Sequence, residues 1–158
     1  MTDFLTKIQR SERMSRIRSR GNKDTELAMA RLLRTNKITG WRRHLEVRSQ
    51  KLEVRRKAAR TSHLSPRPFR VRPDFVFLKS STAIFVDGCF WHGCPRHGTQ
   101  PAGNRSFWKK KFARNQSRDR LVSRTLRGNG WQVIRIWEHE LTRKNEARLL
   151  KRIHRALF

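Results

Sequence analysis

The sequence predicts an α/β fold in which a mixed central sheet is flanked by helices, within one domain. Three observations carry this. Short apolar runs sit at residues 72–78 (RPDFVFL), 82–86 (TAIFV) and 131–137 (WQVIRIW). Stretches of helical periodicity precede, separate and follow them. The 158 residues suffice for one core, and no internal repeat divides them.

The first 23 residues are polar and basic, with Met14 and Ile17 the main apolar side chains, and read as an arm or short helix. Asp24 or Thr25 is placed to cap a helix through TELAMARLLRTNKI, whose Leu27, Ala30 and Leu33 recur at helical spacing. Glu26 falls in its first turn, where the helix dipole favours a carboxylate. Residues 41–47 (WRRHLEV) alternate weakly, as an edge strand does. Residues 48–70 are basic, contain proline and lack a period, which predicts an inserted, partly mobile loop.

The two strands at 72–78 and 82–86 are joined by Lys79-Ser80-Ser81, a polar tripeptide suited to a hairpin turn. The second is almost wholly apolar and is expected at the sheet centre. Asn104 or Ser106 opens a long helix that Gly128-Asn129-Gly130 closes near Arg127. A third strand follows at 131–137, with Trp131, Val133 and Trp137 on one face and Ile134 and Ile136 on the other. A last helix is expected over 142–157.

Charge narrows the partners. Lys and Arg number 39 against 12 acidic residues, a formal net charge of +27. Self-repulsion of that size opposes compaction unless a polyanion screens it, which points to nucleic acid. No apolar stretch approaches the roughly 20 residues of a membrane span, and the N-terminus lacks the apolar core of a secretory signal.

With acidic residues scarce, their positions are informative. Asp74 interrupts the first strong strand and Asp87 ends the second. A carboxylate among strand residues is costly unless it is paired or binds a cation. Two of them in a basic protein suit a divalent-metal nuclease, in which the ion neutralises phosphate and activates water. For either one alone the plainer reading is favoured, Asp74 paired with a nearby arginine and Asp87 in a turn with Gly88; for the pair in this charge setting, catalysis comes first.

Cys89, Cys94 and His97 form C-x4-C-x2-H, and His139 in WEHEL is a candidate fourth ligand for tetrahedral zinc. Two buried thiols and surface histidines are the alternative. Four ligands would make a closed, structural site. His92 then remains available as a general base, unless it joins the zinc or the core. Phe90 and Trp91 either pack inward or wedge between base steps, and the same choice applies to Met14. Phe107, Trp108, Lys109, Lys110, Lys111, Arg114, Arg118 and Arg120 mix aromatics with cations along the long helix, a phosphate grip or a solvated face.

Taken together, SERMSRIRS, NKDTE, RPDFVF, FVDGCFWHGCPRHG, NRSFWKKKFARNQSRD and GWQVIRIWEHEL resemble, in order, the motifs of the very short patch repair DNA mismatch endonucleases, across about residues 10–141. The resemblance implies a restriction-endonuclease-like fold and Mg²⁺-dependent nicking of DNA at T·G mismatches left by 5-methylcytosine deamination. It implies that Asp74 and the Val86 carbonyl bind magnesium, that His92 is the base, and that Glu26 supports that histidine. It assigns Phe90, Trp91 and Met14 to DNA distortion, and Cys89, Cys94, His97 and His139 to structural zinc. A cytoplasmic, nucleoid-associated bacterial monomer working beside mismatch-repair proteins is the expected setting. The chain departs from the family in three places. His139 stands where cysteine is frequent, residues 48–70 exceed the usual connector, and Asp87 stands where some members have histidine. Two other readings remain in view: a related nuclease with a different DNA target, and a zinc-containing nucleic-acid-binding module without activity.

Overall fold

The computed structural model describes residues 22–48, 70–99 and 103–158, together with Thr6, Ile8, Gln9, Glu12 and Pro101. Met14 and residues 49–69, hence nearly all of the expected loop, lie outside the described residues.

A mixed four-stranded sheet is the centre of the fold, in the order β1 (Trp41–Arg43), β4 (Phe75–Phe77), β5 (Thr82–Asp87), β6 (Gln132–Trp137). β4 runs antiparallel to β1 and β5, whereas β5 and β6 are parallel. A parallel pair needs a crossover, and the 24-residue helix α2 (Arg105–Gly128) supplies it. β5, the apolar strand expected at the centre, is paired on both sides.

Strand alternation sorts the side chains onto two faces. Phe75, Phe77, Ile84, Val86 and Ile136 meet Met29 and Leu33 of α1 (Ala28–Thr35) and Leu149 and Ile153 of α3 (Glu146–Leu157). Val76 and Ala83 face the other way, onto Leu126 and Val122 of α2 and onto Val47, Val133 and Trp131. The opposed faces expected for 131–137 are therefore present.

Several boundaries differ from expectation, each for a local reason. The first helix opens at a π-helical turn, Lys23–Leu27, capped by Asn22 rather than by Asp24 or Thr25; the Asn22 side chain accepts from the Asp24 N–H. The expected strand at 41–47 is broken at His44, whose φ of 51° lies in the left-handed region. Beyond that break β2 (Val47–Arg48) pairs with β3 (Arg70–Val71) as a separate two-stranded ribbon. The strand expected from residue 72 begins only at Phe75, after Pro73, which has no N–H for the ladder. The final helix begins at Glu146, not at 142, because two short 3₁₀ turns (Glu138–Leu141 and Arg143–Asn145) come first. The hairpin turn falls where expected, with the Ser81 N–H donating to the Leu78 carbonyl.

Candidate active site

Asp74 just precedes β4 and Asp87 ends the adjacent β5, and both line one cleft of about 580 Å³ together with Glu26, His92 and Asp119. Arg70, Arg72 and Arg118 also line it, a cationic rim for an anionic ligand.

Asp74 sits immediately before β4, and its Oδ2 accepts the Val86 N–H of β5 at 2.7 Å. That bond fixes the carboxylate against the strand. Burial is the main cause that pushes the Asp74 pKa up to about 6. The Val86 N–H and His44 act downward, and the nearby Glu26 and Asp87 act upward. A carboxyl in this state is stabilised as the anion by a cation. Ligand atoms of Asp74, Glu26 and His44 lie within 4.8 Å of one another. Glu26 is nearly buried (5 % exposed), with Arg43 at 2.8 Å and His44 Nε2 at 3.0 Å.

His92 lies in the loop after β5. Its main chain is held from α2: Asn115 Nδ2 donates to the Trp91 carbonyl at 2.8 Å, and Gln116 Nε2 to the His92 carbonyl at 3.5 Å. Asp119 follows Asn115 by four residues and so projects from the same helix face. Its Oδ2 lies 2.5 Å from His92 Nδ1. Burial alone raises the Asp119 pKa, but the His92 hydrogen bond and the charges of His92, Arg135 and Arg118 outweigh it, and the net direction is down. An ionised Asp119 accepts a hydrogen bond from Nδ1–H, which leaves Nε2 as the basic nitrogen.

The partner of His92 is thus Asp119, whereas the hydrogen bonds and ion pairs described for Glu26 run to Arg43 and His44. Sequence reasoning missed Asp119. Its signal was present, since it is the sole acidic residue between Asp87 and Glu138. Reading the helix as a row of cations hid it. His44 and Arg135 were missed as well. Arg135 Nε bonds Asp87 Oδ2 at 2.6 Å, Nη2 bonds Asp87 Oδ1, and Nη2 also lies 3.1 Å from Asp119 Oδ1. Both oxygens of Asp87 are engaged by this one guanidinium.

The four expected zinc ligands converge. Cys89 Sγ is 3.2 Å and Cys94 Sγ 3.6 Å from His139 Nδ1, and Cys94 Sγ is 4.0 Å from His97 Nδ1. A tetrahedral ion with bonds of about 2.0–2.3 Å sets ligand atoms roughly 3.3–3.8 Å apart; the three separations straddle that range, and thiol and imidazole donors are of the kind zinc takes. Both cysteines are buried and unpaired as disulfide. Burial and the adjacent Cys94 push the Cys89 thiol up, although a backbone hydrogen bond at His139 opposes them. A bound cation reverses that balance. Local structure brings the ligands in. Gly98 N–H closes a turn onto the Cys94 carbonyl at 2.7 Å, where a Cβ at Gly98 would lie 2.4 Å from that oxygen. Thr142 Oγ1 and Asn145 Nδ2 both bond the His139 carbonyl and hold the 3₁₀ turn.

Phe90 and Trp91 are half-buried. Phe90 packs edge-on against Trp91, Trp108 and Phe112, with ring centroids 5.0, 5.3 and 5.6 Å away. Phe107 at the start of α2 is 50 % exposed beside Trp108. An aromatic cluster thus stands next to the cleft on the Trp91 side. Lys109, Lys110, Lys111, Arg114, Arg118 and Arg120 are exposed on the same helix.

Comparison with known proteins bears directly on this arrangement. Residues 64–97, which hold Asp74, His92 and three of the four Cys/His ligands, match the family model described as DNA mismatch endonuclease Vsr. Over 157 residues the chain is 32 % identical to the type II nicking enzyme V.NmeDIP of Neisseria meningitidis serogroup C, covering 98 % of this chain and 90 % of that one. The chain belongs to the Vsr endonuclease family. Other members match over shorter segments. The type II nicking enzyme V.NaeI of Lentzea aerocolonigenes is 46 % identical over 85 residues, 54 % of this chain and 51 % of its own length. The DNA mismatch endonuclease Vsr of Escherichia coli is 40 % identical over 68 residues, 42 % of this chain and 44 % of its own. The mixed α/β sheet is consistent with the Vsr family, and no helix among the described residues is long and apolar enough to cross a membrane.

Proposed function

We propose that this Vsr-family chain is a Mg²⁺-dependent endonuclease that nicks one strand of duplex DNA at T·G mismatches arising from 5-methylcytosine deamination. The observation that carries the reading is the His92–Asp119 contact placed in the same cleft as Asp74. A base with a defined tautomer and a cation-ready carboxylate are the two parts that phosphodiester hydrolysis requires.

In this reading Asp74 and the Val86 carbonyl would hold magnesium, which would supply charge neutralisation at the scissile phosphate and Lewis acidity toward the attacking water. His92 Nε2 takes the proton of that water while Asp119 steadies the imidazole and stabilises its charged form. Glu26, tied to Arg43 and His44, shapes the acidic floor beside Asp74. Asp87 balances Arg135. Phe90 and Trp91 from the loop, and Met14 from the arm, open the stack at the mismatch. Cys89, Cys94, His97 and His139 would hold zinc, which would fix the loop that carries Phe90, Trp91 and His92. The chain acts as one endonuclease domain, with residues 1–23 as a DNA-contacting arm and 48–70 as an insertion.

The deciding experiment compares a T·G duplex with its T·A control in the presence of Mg²⁺. Nicking confined to the T·G duplex supports the proposal. Tight binding of both with cleavage of neither overturns it. A second reading, a nuclease of the same machinery with a different DNA target, draws support from relatives named type II nicking enzymes. A panel of mismatched, matched and branched duplexes separates the two.

A further inference from the structure

His92 Nδ1 carries one proton, yet two carboxylates stand beside it. Asp119 Oδ2 is 2.5 Å away and Asp87 Oδ1 is 3.6 Å away. Both acids are well shielded from water, with side chains 16 % and 5 % exposed. Which of them accepts the Nδ1–H hydrogen bond decides how the ring is turned, and so where Nε2 points.

Arg135 stands between these acids. It lies on β6 in register with Phe85 of β5, and its guanidinium carbon sits 5.0 Å from the centre of the Phe85 ring. Asp87 is two residues beyond Phe85 and therefore on the same face of β5. The planar fork of an arginine matches a carboxylate at two points, which a lysine ammonium does not. Here Nε and Nη2 take both Asp87 oxygens, and Nη2 reaches Asp119 Oδ1 as well, leaving Asp119 Oδ2 for the imidazole. Nη1 is buried and has no hydrogen-bond partner among the described residues. Asp87 and Asp119 thus account for every hydrogen bond and ion pair this guanidinium makes among them.

We propose that Arg135 is a positioning residue that selects Asp119 over Asp87 as the partner of His92, by occupying both oxygens of Asp87. It acts through the two aspartates rather than on the substrate. The proposal rests on the reading of His92 as the base, so its test needs a signal independent of cleavage.

That test is the hydrogen-bonded Nδ1–H proton of His92, followed by NMR in the zinc-loaded full chain, beside single-turnover nicking of the T·G duplex with Mg²⁺. In Arg135→Gln, Asp87 is released, and the downfield proton signal is expected to shift or vanish. A displaced base costs on the order of 100-fold in rate, with little change in KM. The uncharged double variant Asp87→Asn/Arg135→Gln removes the competitor and is expected to regain both the signal and most of the rate. Should Arg135→Gln fail to fold, the double variant decides alone: a restored signal supports the proposal and its absence overturns it. An unchanged signal in folded Arg135→Gln overturns it too. So does a loss confined to KM that the double variant does not rescue, because that pattern belongs to an arginine gripping phosphate. If the wild type itself nicks no T·G duplex, the proposed function falls while the proton signal still settles the role of Arg135.

Discussion

Asp119 Oδ2 and His92 Nδ1 are 2.5 Å apart, and each is carried by a different element, α2 and the loop after β5. The contact gives the imidazole one orientation and one tautomer. Asn115 and Gln116 hold the loop main chain from the same helix, so the pair is anchored at both ends.

Asp119→Asn keeps the shape of that contact but not its polarity, since an amide can donate to Nδ1 and turn the basic nitrogen inward. The expected outcome is a fall in nicking rate of about 10²–10⁴-fold, with duplex affinity unchanged within roughly threefold. His92→Ala is expected to lose at least as much. Gel-shift and single-turnover assays on the same duplex check this, and equal loss of affinity and rate would mark a folding defect instead.

Asp74 is expected to limit stability in the absence of divalent cation. Its folded pKa of about 6 lies above the ordinary carboxylate value of 3.8, chiefly through burial. The fold therefore binds this proton more tightly than the unfolded chain does. The cost of ionising Asp74 is absent below the lower value, grows as pH rises between the two and is complete above about 6. In magnesium-free buffer at pH 7, Asp74→Asn should raise Tm by about 3–8 °C, and with Mg²⁺ added it should fail to nick a duplex that the wild type cuts. Calorimetry at pH 5 and pH 7 reads the slope, and a lower Tm for the variant at pH 7 would contradict the assignment.

One equivalent of zinc is expected in protein purified without chelator. Cys94→Ala and His139→Ala should each lose it and lower Tm, because a closed four-ligand site contributes folding energy directly. Elemental analysis with a melting curve checks both. Full stability at substoichiometric metal would remove zinc from the account.

Trp91→Ala is expected to erode discrimination between T·G and T·A duplexes more than it lowers affinity for either, since a wedge acts on the distorted state of the DNA. Phe90→Ala carries a further cost. Its ring packs on Trp91, Trp108 and Phe112, and aromatic pairs contribute about 0.5–1.5 kcal/mol each beyond burial. A fluorescent base analogue beside the mismatch reports the unstacking, and unchanged fluorescence in Trp91→Ala would assign the ring to packing alone.

Sheet, crossover helix and the members of the Cys/His cluster were all legible in the chain because each has a local signature. Short apolar runs mark the strands, glycines mark the helix end, and Cys89, Cys94 and His97 cluster within a few residues. Where prediction of an element failed, a backbone detail or a short-range side-chain bond overrode the apolar pattern. Residues 41–47 carry a weak strand pattern, but the positive φ at His44 divides it into strands belonging to two different sheets. Residues 142–145 read as helix, yet the Thr142 and Asn145 side chains bond the His139 carbonyl and a 3₁₀ turn forms instead.

The sequence by itself determined the candidate reactive residues, Asp74, Asp87 and His92, because carboxylates in apolar strands and a histidine between cysteines are chemically conspicuous. Only the tertiary structure decided their partners. Glu26 meets Arg43 and His44, His92 meets Asp119, and Asp87 is taken by Arg135 from the neighbouring parallel strand. The physical reason is distance along the chain: the Asp87–Arg135 pair spans 48 residues and His92–Asp119 spans 27. A pairing of that kind is set by strand register and helix docking, and no local pattern among so many arginines singles out the one that pairs.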